Sequence, residues 1–204
     1  MISRASTGAD VAIIVFARAP VPGQAKTRLI PRLGAWRAAA LQAQLTGRAL
    51  RTARAARCGR VELHVTRRHG LFEKEFPVKR QKGGDLGVRM LNAFENALRR
   101  HRAVVLIGTD CPALKPADLR RAARLLRGAC DAVLAPAEDG GYALIGLKRA
   151  RKAIFEGIDW GGDAVLRQTL AKIRLLDFNC RLLRTVWDLD RPEDLERLRS
   201  LRFS

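Results

Sequence analysis

The sequence contains no C-x-x-C pair, no apolar run approaching the ~20 residues of a membrane span, and no G-x-x-x-x-G-K-[ST] loop. The first absence excludes zinc ribbons and thioredoxin-like redox motifs. The four cysteines, Cys58, Cys111, Cys130 and Cys180, are therefore expected as free thiols filling the core. Cys111, beside a candidate site residue, is the one also open to reaction. The second absence, with the lack of an apolar stretch in Met1–Asp10, excludes a membrane span and a secretory leader and makes the cytoplasm the expected compartment. The third excludes a P-loop. His64, His69 and His101 show no ligand spacing, and no Ser-His-Asp or Cys-His arrangement stands out. Internal repeats, low-complexity tracts and domain-splitting linkers are also missing. A chain of 204 residues without them is expected to form one domain.

Lysine is scarce too. Only eight of the 39 basic residues are lysine, against 20 acids, and the formal charge is +19. Such a charge attracts polyanions, so nucleic acid must be considered as a partner. The arginines, however, are spread over nearly every expected helix, as in Arg120, Arg121, Arg124 and Arg127. They form no stripe with interleaved aromatics, which disfavours nucleic acid. Arginine-for-lysine drift across a proteome produces the same composition.

What is present is an alternation of apolar runs and helical patterns. Val11–Ala17, Val61–Thr66, Ala103–Gly108, Ala132–Ala135, Tyr142–Leu147 and Leu182–Val186 read as strands. Gly34–Arg57, Leu86–Arg100, a segment opened by Pro116, Asp163–Arg174 and a segment opened by Pro192 read as helices. Strands alternating with helices predict an α/β fold, with a mostly parallel mixed sheet between two helical layers. In such sheets ligands bind beyond the carboxyl ends of the strands.

Five loops at those ends carry chemistry. After the first strand, Gly23 permits close backbone approach, and Lys26 and Arg28 supply two cations for phosphates; a solvated basic loop is the bland alternative. In Gly83-Gly84-Asp85-Leu86-Gly87, Asp85 either N-caps the next helix or accepts hydrogen bonds from a ribose or base. In Gly108-Thr109-Asp110-Cys111-Pro112, the Asp110 carboxylate suits Mg²⁺, unless it merely caps a turn. In Glu138-Asp139-Gly140-Gly141-Tyr142, the acids position an acceptor hydroxyl or phosphate, or the glycines make a tight hairpin. In Asp188-Leu189-Asp190-Arg191-Pro192-Glu193, Asp190 and Glu193 form a capping box, or Asp188 and Asp190 supply a second metal carboxylate.

Together these residues resemble a known family. F-A-R-x-P-x-P-G-x-A-K-T-R-L (Phe16 to Leu29), G-D-L-G-x-R-M (Gly84 to Met90), G-T-D-C-P (Gly108 to Pro112), E-D-G-G-Y (Glu138 to Tyr142) and D-x-D-x-P-E-D-L (Asp188 to Leu195) look like the radical-SAM/selenodomain-associated transferases. The similarity runs collinearly over roughly residues 11–198 of the single domain. It implies a three-layer α/β/α, Rossmann-like GT-A fold, that of the nucleotide-diphospho-sugar transferases, and glycosyltransferase activity. A weaker similarity, through A-K-T-R-L and D-x-P-E-D-L, points to 2-phospho-lactate guanylyltransferases and molybdenum-cofactor nucleotidyltransferases. The resemblance implies Asp110 and Asp190 at a Mg²⁺ or Mn²⁺ ion, and strand alternation puts Asp188 on the same side as Asp190. It implies Lys26 and Arg28 at phosphates and Gly84, Asp85 and Arg89 near the nucleoside; Arg18 and Gly23 of the first loop and Gly87 of the second are the further nucleotide-side candidates. The family commonly has W-S-T where this chain reads Trp160-Gly161-Gly162, so two hydroxyls are replaced by bare backbone.

The expected activity is metal-dependent transfer from a nucleotide or nucleotide-sugar to a small-molecule acceptor. Asp139, with Glu138 as competitor, orients or deprotonates the acceptor; Gly140, Gly141, Tyr142 and Trp160 shape its side. Lys26 and Arg28 suit a triphosphate, and Gly108 breaks an Asp-x-Asp pair at Asp110, which favours nucleotidyl transfer. The family label favours glycosyl transfer. A basic nucleic-acid binder without catalysis is the remaining alternative.

Overall fold

The computed structural model describes residues 10–200; the leader reading of Met1–Ala9 lies outside them. Its seven strands are β1 (Val11–Ala17), β2 (Arg60–Val65), β3 (Val78–Arg80), β4 (Ala103–Gly108), β5 (Ala132–Pro136), β6 (Tyr142–Leu147) and β7 (Cys180–Leu182). They form one sheet in the order β3-β2-β1-β4-β6-β5-β7. Every neighbouring pair is parallel except those made by β6, which runs antiparallel to β4 and β5. β1 is buried along its whole length, as a central strand covered on both faces must be.

The helices are α1 (Ile30–Leu33), α2 (Ala35–Ala56), α3 (Leu86–Leu98), α4 (Pro116–Arg127), α5 (Lys152–Phe155), α6 (Val165–Leu175) and α7 (Asp194–Ser200). α2 and α4 pack together over one face, in a core that includes Ile13, Val105, Leu50 and Leu119. α3, α5 and α6 cover the other, around Ile14, Leu106, Phe94 and Phe155. This is the expected three-layer α/β arrangement with a mostly parallel sheet. α2 forms because Ala38, Leu41, Leu45 and Ala53 recur on one face of an alanine-rich segment, and it stops at Arg57 in the left-handed region. α4 starts as read from Pro116, with Asp118 accepting from the Lys115 N–H at 2.8 Å.

Several boundaries differ from the sequence reading. The last strand is Cys180–Leu182 rather than Leu182–Val186, although Val186 bridges Ala137. β3, α1 and α5 are too short to carry a periodic pattern and were not expected. The capping box of Asp190 and Glu193 is corrected: Asp194 accepts from the N–H groups of Asp190 and Arg191, at 3.0 and 2.7 Å. α7 accordingly begins at Asp194 and not at Pro192.

β1, β4 and β5 all end at one edge of the sheet, which delivers their following loops to the same place. β6, being antiparallel, begins there, so Tyr142 falls at that edge too.

Candidate active site

At this edge lies a cleft of about 890 Å³. Arg18, Lys26 and Arg28 reach it from the loop after β1, and Asp110 from the end of β4. Glu138, Asp139, Gly141 and Tyr142 come from the β5–β6 turn, Trp160 from the α5–α6 loop, and Asp188 and Asp190 from the segment before α7. Most of the residues singled out by sequence therefore converge.

Lys26 adopts a left-handed backbone at φ 49°, uncommon outside glycine, and its side chain is buried. Its ammonium lies 2.7 Å from Asp110 Oδ1 and donates to the Leu189 carbonyl. Arg28 pairs with Asp190. Both cations of the β1 loop thus sit on a carboxylate of the same cleft. Gly23 has φ +79° and open space around it, so it serves the turn itself. Arg18 is exposed at the rim.

Six aspartates, Asp110, Asp139, Asp163, Asp188, Asp190 and Asp194, line the cleft. Asp188 is pushed up to about 6, first by burial, then by the charge of Asp139, with Asp194 and Asp190 adding to it; a backbone hydrogen bond opposes the shift. Crowded carboxylate oxygens of this kind suit a hard cation. Among the described residues no group of three or more His, Cys, Asp and Glu side chains is arranged to hold a metal alone. The residues fit a magnesium or manganese ion only if ligand oxygens complete its shell, as Mg²⁺ with phosphates allows.

The β5–β6 turn is both a hairpin and part of the cleft. Asp139 Oδ1 accepts from the Gly141 N–H at 2.9 Å. Gly140 has φ +87°, and a Cβ there would lie 1.9 Å from the Asp163 carbonyl oxygen. Leu166 N–H donates to the Gly140 carbonyl at 2.9 Å, tying the turn to the start of α6. Glu138 accepts two bonds from Arg197, at 2.7 and 3.1 Å, which hold its carboxyl below the usual range. Glu138 is thereby committed to Arg197 and not left facing the cleft alone. The Tyr142 hydroxyl is buried, and burial pushes it up, so it stays protonated.

Gly84, Asp85, Gly87 and Arg89 do not line this cleft; Leu86 among them does. Asp85 caps α3, accepting from Val88 N–H at 2.8 Å. Arg89 donates to the carbonyls of Gly83 and Gly84, at 3.1 and 2.7 Å. A Cβ on Gly87 would lie 2.7 Å from Trp160 Nε1. These residues shape the loop beside the cleft. Cys111 lines the cleft, but burial, then the charges of Asp110, Asp188 and Asp139, raise its thiol well above its ordinary value. That corrects the expectation of a reactive cysteine.

Sequence reasoning missed Gln42, Asp194 and Arg197. Gln42 is 2% exposed and donates to Thr109 Oγ1 at 3.0 Å, next to Asp110. Its signal was a polar residue inside the buried stripe between Leu41 and Leu45. Arg197 stacks over Trp187 at 4.7 Å while holding Glu138, and no local pattern announces that.

A parallel sheet with one reversed strand and a charged cleft at its strand ends defines the nucleotide-diphospho-sugar transferase fold. Residues 39–162 match the family described as uncharacterized proteins conserved in bacteria, DUF2064, and the chain belongs to that family. It is similar to a provisionally named nucleotide-diphospho-sugar transferase from Desulfovibrio desulfuricans G20, with 30% identity, 96% of this chain and 89% of that one covered, and a TM-score of 0.86. A nucleotidyl transferase from Methanothermobacter thermautotroptrophicus shares the fold at 15% identity, with 95% and 97% covered and a TM-score of 0.60. So does Rv0371c from Mycobacterium tuberculosis H37Rv, crystallised with manganese, at 19% identity, 93% and 97% covered and a TM-score of 0.54. No curated protein matches the chain. Among the described residues no helix is long and apolar enough to cross a membrane.

Proposed function

We propose that residues 11–198 act as one cytoplasmic transferase domain that uses a nucleotide donor and a divalent cation, Mg²⁺ or Mn²⁺. The five collinear motifs support a kinship with the radical-SAM/selenodomain-associated transferases. The observation that carries the reading is the pairing of Lys26 with Asp110 and of Arg28 with Asp190 at one cleft on the strand ends. Two cations matched to two carboxylates are the parts needed to hold donor phosphates and their metal.

In this reading Asp110 and Asp190, with Asp188, hold the cation, which neutralises charge on the departing phosphate. Lys26 and Arg28 bind the phosphates, with Arg18 and Gly23 in the same loop. Gly84, Asp85, Gly87 and Arg89 present the α3 loop to the nucleoside. Asp139 orients the acceptor and takes its proton, flanked by Gly140 and Gly141 and opposite Tyr142 and Trp160. Glu138, held by Arg197, supports the turn.

Glycosyl transfer is the leading form, supported by the 30% identical relative's name. Nucleotidyl transfer is the second reading, supported by the two cations of the β1 loop, which suit a triphosphate.

The test is the melting temperature against a panel of NTPs and NDP-sugars, with and without Mg²⁺. Ligand at ~100 times its dissociation constant adds about 2.7 kcal/mol, or roughly 2–4 °C for this size. A metal-dependent shift with an NDP-sugar supports glycosyl transfer; one with an NTP alone supports nucleotidyl transfer. No shift with any of them sinks the reading and moves weight to nucleic acid.

A further inference from the structure

The cleft has two unlike halves. Along the strand ends runs a charged strip with Lys26, Arg28, Asp110, Asp188 and Asp190. On the α3 side of the sheet lies a basin of Leu86, Met90, Leu106, Tyr142, Trp160 and Val165. Met90 and Leu106 belong to the core on that side, and Tyr142 and Trp160 pack against it. The close approach of Gly87 to the indole wedges Trp160 against α3. The basin is thus core surface opened to the cleft, with Asp139 and Asp163 near it among the lining residues.

We propose that this basin receives the acceptor, and that the acceptor is an uncharged alcohol carried on an apolar body, not a phosphate ester. The proposal rests on the transferase reading and narrows it. An apolar body entering the basin leaves water for matching surface. A phosphate placed there loses its hydration and meets the carboxylates of Asp139 and Asp163. Arg89, on α3 between Leu86 and Met90, is engaged by the Gly83 and Gly84 carbonyls, and Arg197, which lines the cleft, is engaged by Glu138 through two hydrogen bonds and stacked on Trp187. The cleft's 890 Å³ falls within the ~300–1,000 Å³ usual for ligand sites and accommodates donor phosphates in the strip and an acceptor in the basin, with the nucleoside against the Gly84–Arg89 loop that flanks it.

The chemistry balances. The acceptor oxygen forms a bond to the anomeric carbon of the donor sugar as the bond from that carbon to the phosphate oxygen breaks. The nucleoside diphosphate leaves with the electron pair, towards Lys26 and Arg28. The hydroxyl proton passes to the Asp139 carboxylate.

The experiment uses the full chain with Mg²⁺ and four probes: 4-phenylbutan-1-ol, its phosphate monoester, glycerol and glycerol 3-phosphate. Binding is read by ligand-observed NMR, with the NTP and NDP-sugar panel titrated in parallel. The phenyl alcohol is expected to bind at least tenfold tighter than its phosphate ester and tighter than glycerol, and to bind together with nucleotide. Val165→Asp is expected to weaken it at least tenfold. Because a buried aspartate can unfold the chain, Val165→Ala is the second variant, with a severalfold loss expected. Equal or tighter binding of the phosphate ester overturns the proposal. So does mutual exclusion of alcohol and nucleotide, which would make the basin the base pocket, and so does unchanged affinity in Val165→Ala. Nucleotide binding in the parallel titration reports separately on the transferase reading.

Discussion

Lys26 Nζ and Asp110 Oδ1 lie 2.7 Å apart, with the lysine side chain 3% exposed and the aspartate 53%. The pair is lopsided: the ammonium is inside the protein and the carboxylate faces the cleft. Removing the carboxylate strands a buried charge, whereas removing both members strands only the Leu189 carbonyl that accepts from Lys26. Asp110→Asn is therefore expected to destabilise by about 1–3 kcal/mol, the range for a buried group left without its partner. Lys26→Met/Asp110→Asn is expected to recover most of that. Nucleotide binding should not recover, because both functional groups are gone. Denaturant titration of the two variants, with calorimetry for nucleotide, separates the effects. A double variant less stable than Asp110→Asn would mean that Lys26 is not the stranded charge.

The same pairing couples the ligands. Asp110 and Asp190 each give one carboxylate oxygen to Lys26 and Arg28, so a cation and donor phosphates compete with those pairings. Metal and donor phosphates together satisfy all four groups; either alone leaves two unmatched. Mg²⁺ is expected to tighten nucleotide binding at least tenfold, about 1.4 kcal/mol of coupling, and nucleotide to tighten Mg²⁺ equally. Calorimetric titrations in both orders measure this. Equal nucleotide affinity with and without Mg²⁺ would show that the partners are not exchanged.

The layers of this fold were legible because they rest on strong periodicity. β1, β4 and β6 are continuous apolar runs, and α2 and α3 carry clear buried stripes. The convergence of Lys26, Asp110, Asp139 and Asp190 was legible because parallel strands deliver their following loops to one edge. What stayed hidden was decided by distant partners. Asp190 looked like a cap because Glu193 follows it at capping distance, but Arg28, far away in sequence, takes its carboxylate and Asp194 does the capping. Gln42 drew no reading, because the Thr109 hydroxyl it donates to is far away in sequence.

Gly140 and Gly161 both have positive φ, at +87° and +111°, yet they should respond differently to alanine. At Gly140 the new Cβ would sit 1.9 Å from the Asp163 carbonyl oxygen, and at Gly161 it would meet nothing within 4 Å. Gly161→Ala carries backbone strain alone, about 1 kcal/mol. Gly140→Ala must also push the β5–β6 turn away from α6. It is expected to cost about 2–4 kcal/mol and to impair catalysis, since Asp139 moves with the turn. Thermal melts of the two variants test the ranking. Equal melting temperatures would show that the turn yields freely.

Glu62 gives a pH dependence remote from the cleft. Its side chain is 1% exposed on β2, with His64 Nε2 at 3.3 Å, Lys79 Nζ at 2.8 Å and an Arg100 nitrogen at 3.4 Å. The hydrogen bond with His64, followed by Lys79 and Arg100, holds its carboxyl down at about 2, against burial, from an ordinary 4.5. A value depressed in the folded state means that the unfolded chain binds the proton first on acidification. The stabilisation is therefore complete above pH 4.5 and is lost as pH falls towards 2. Glu62→Gln should melt lower than the parent at pH 7, and the gap should narrow steadily across that acid window. Thermal melts from pH 7 to pH 2 read both quantities. A gap that stays constant with pH would mean that Glu62 contributes through packing and neutral hydrogen bonds, and that its charge is not what the cluster on β2 holds.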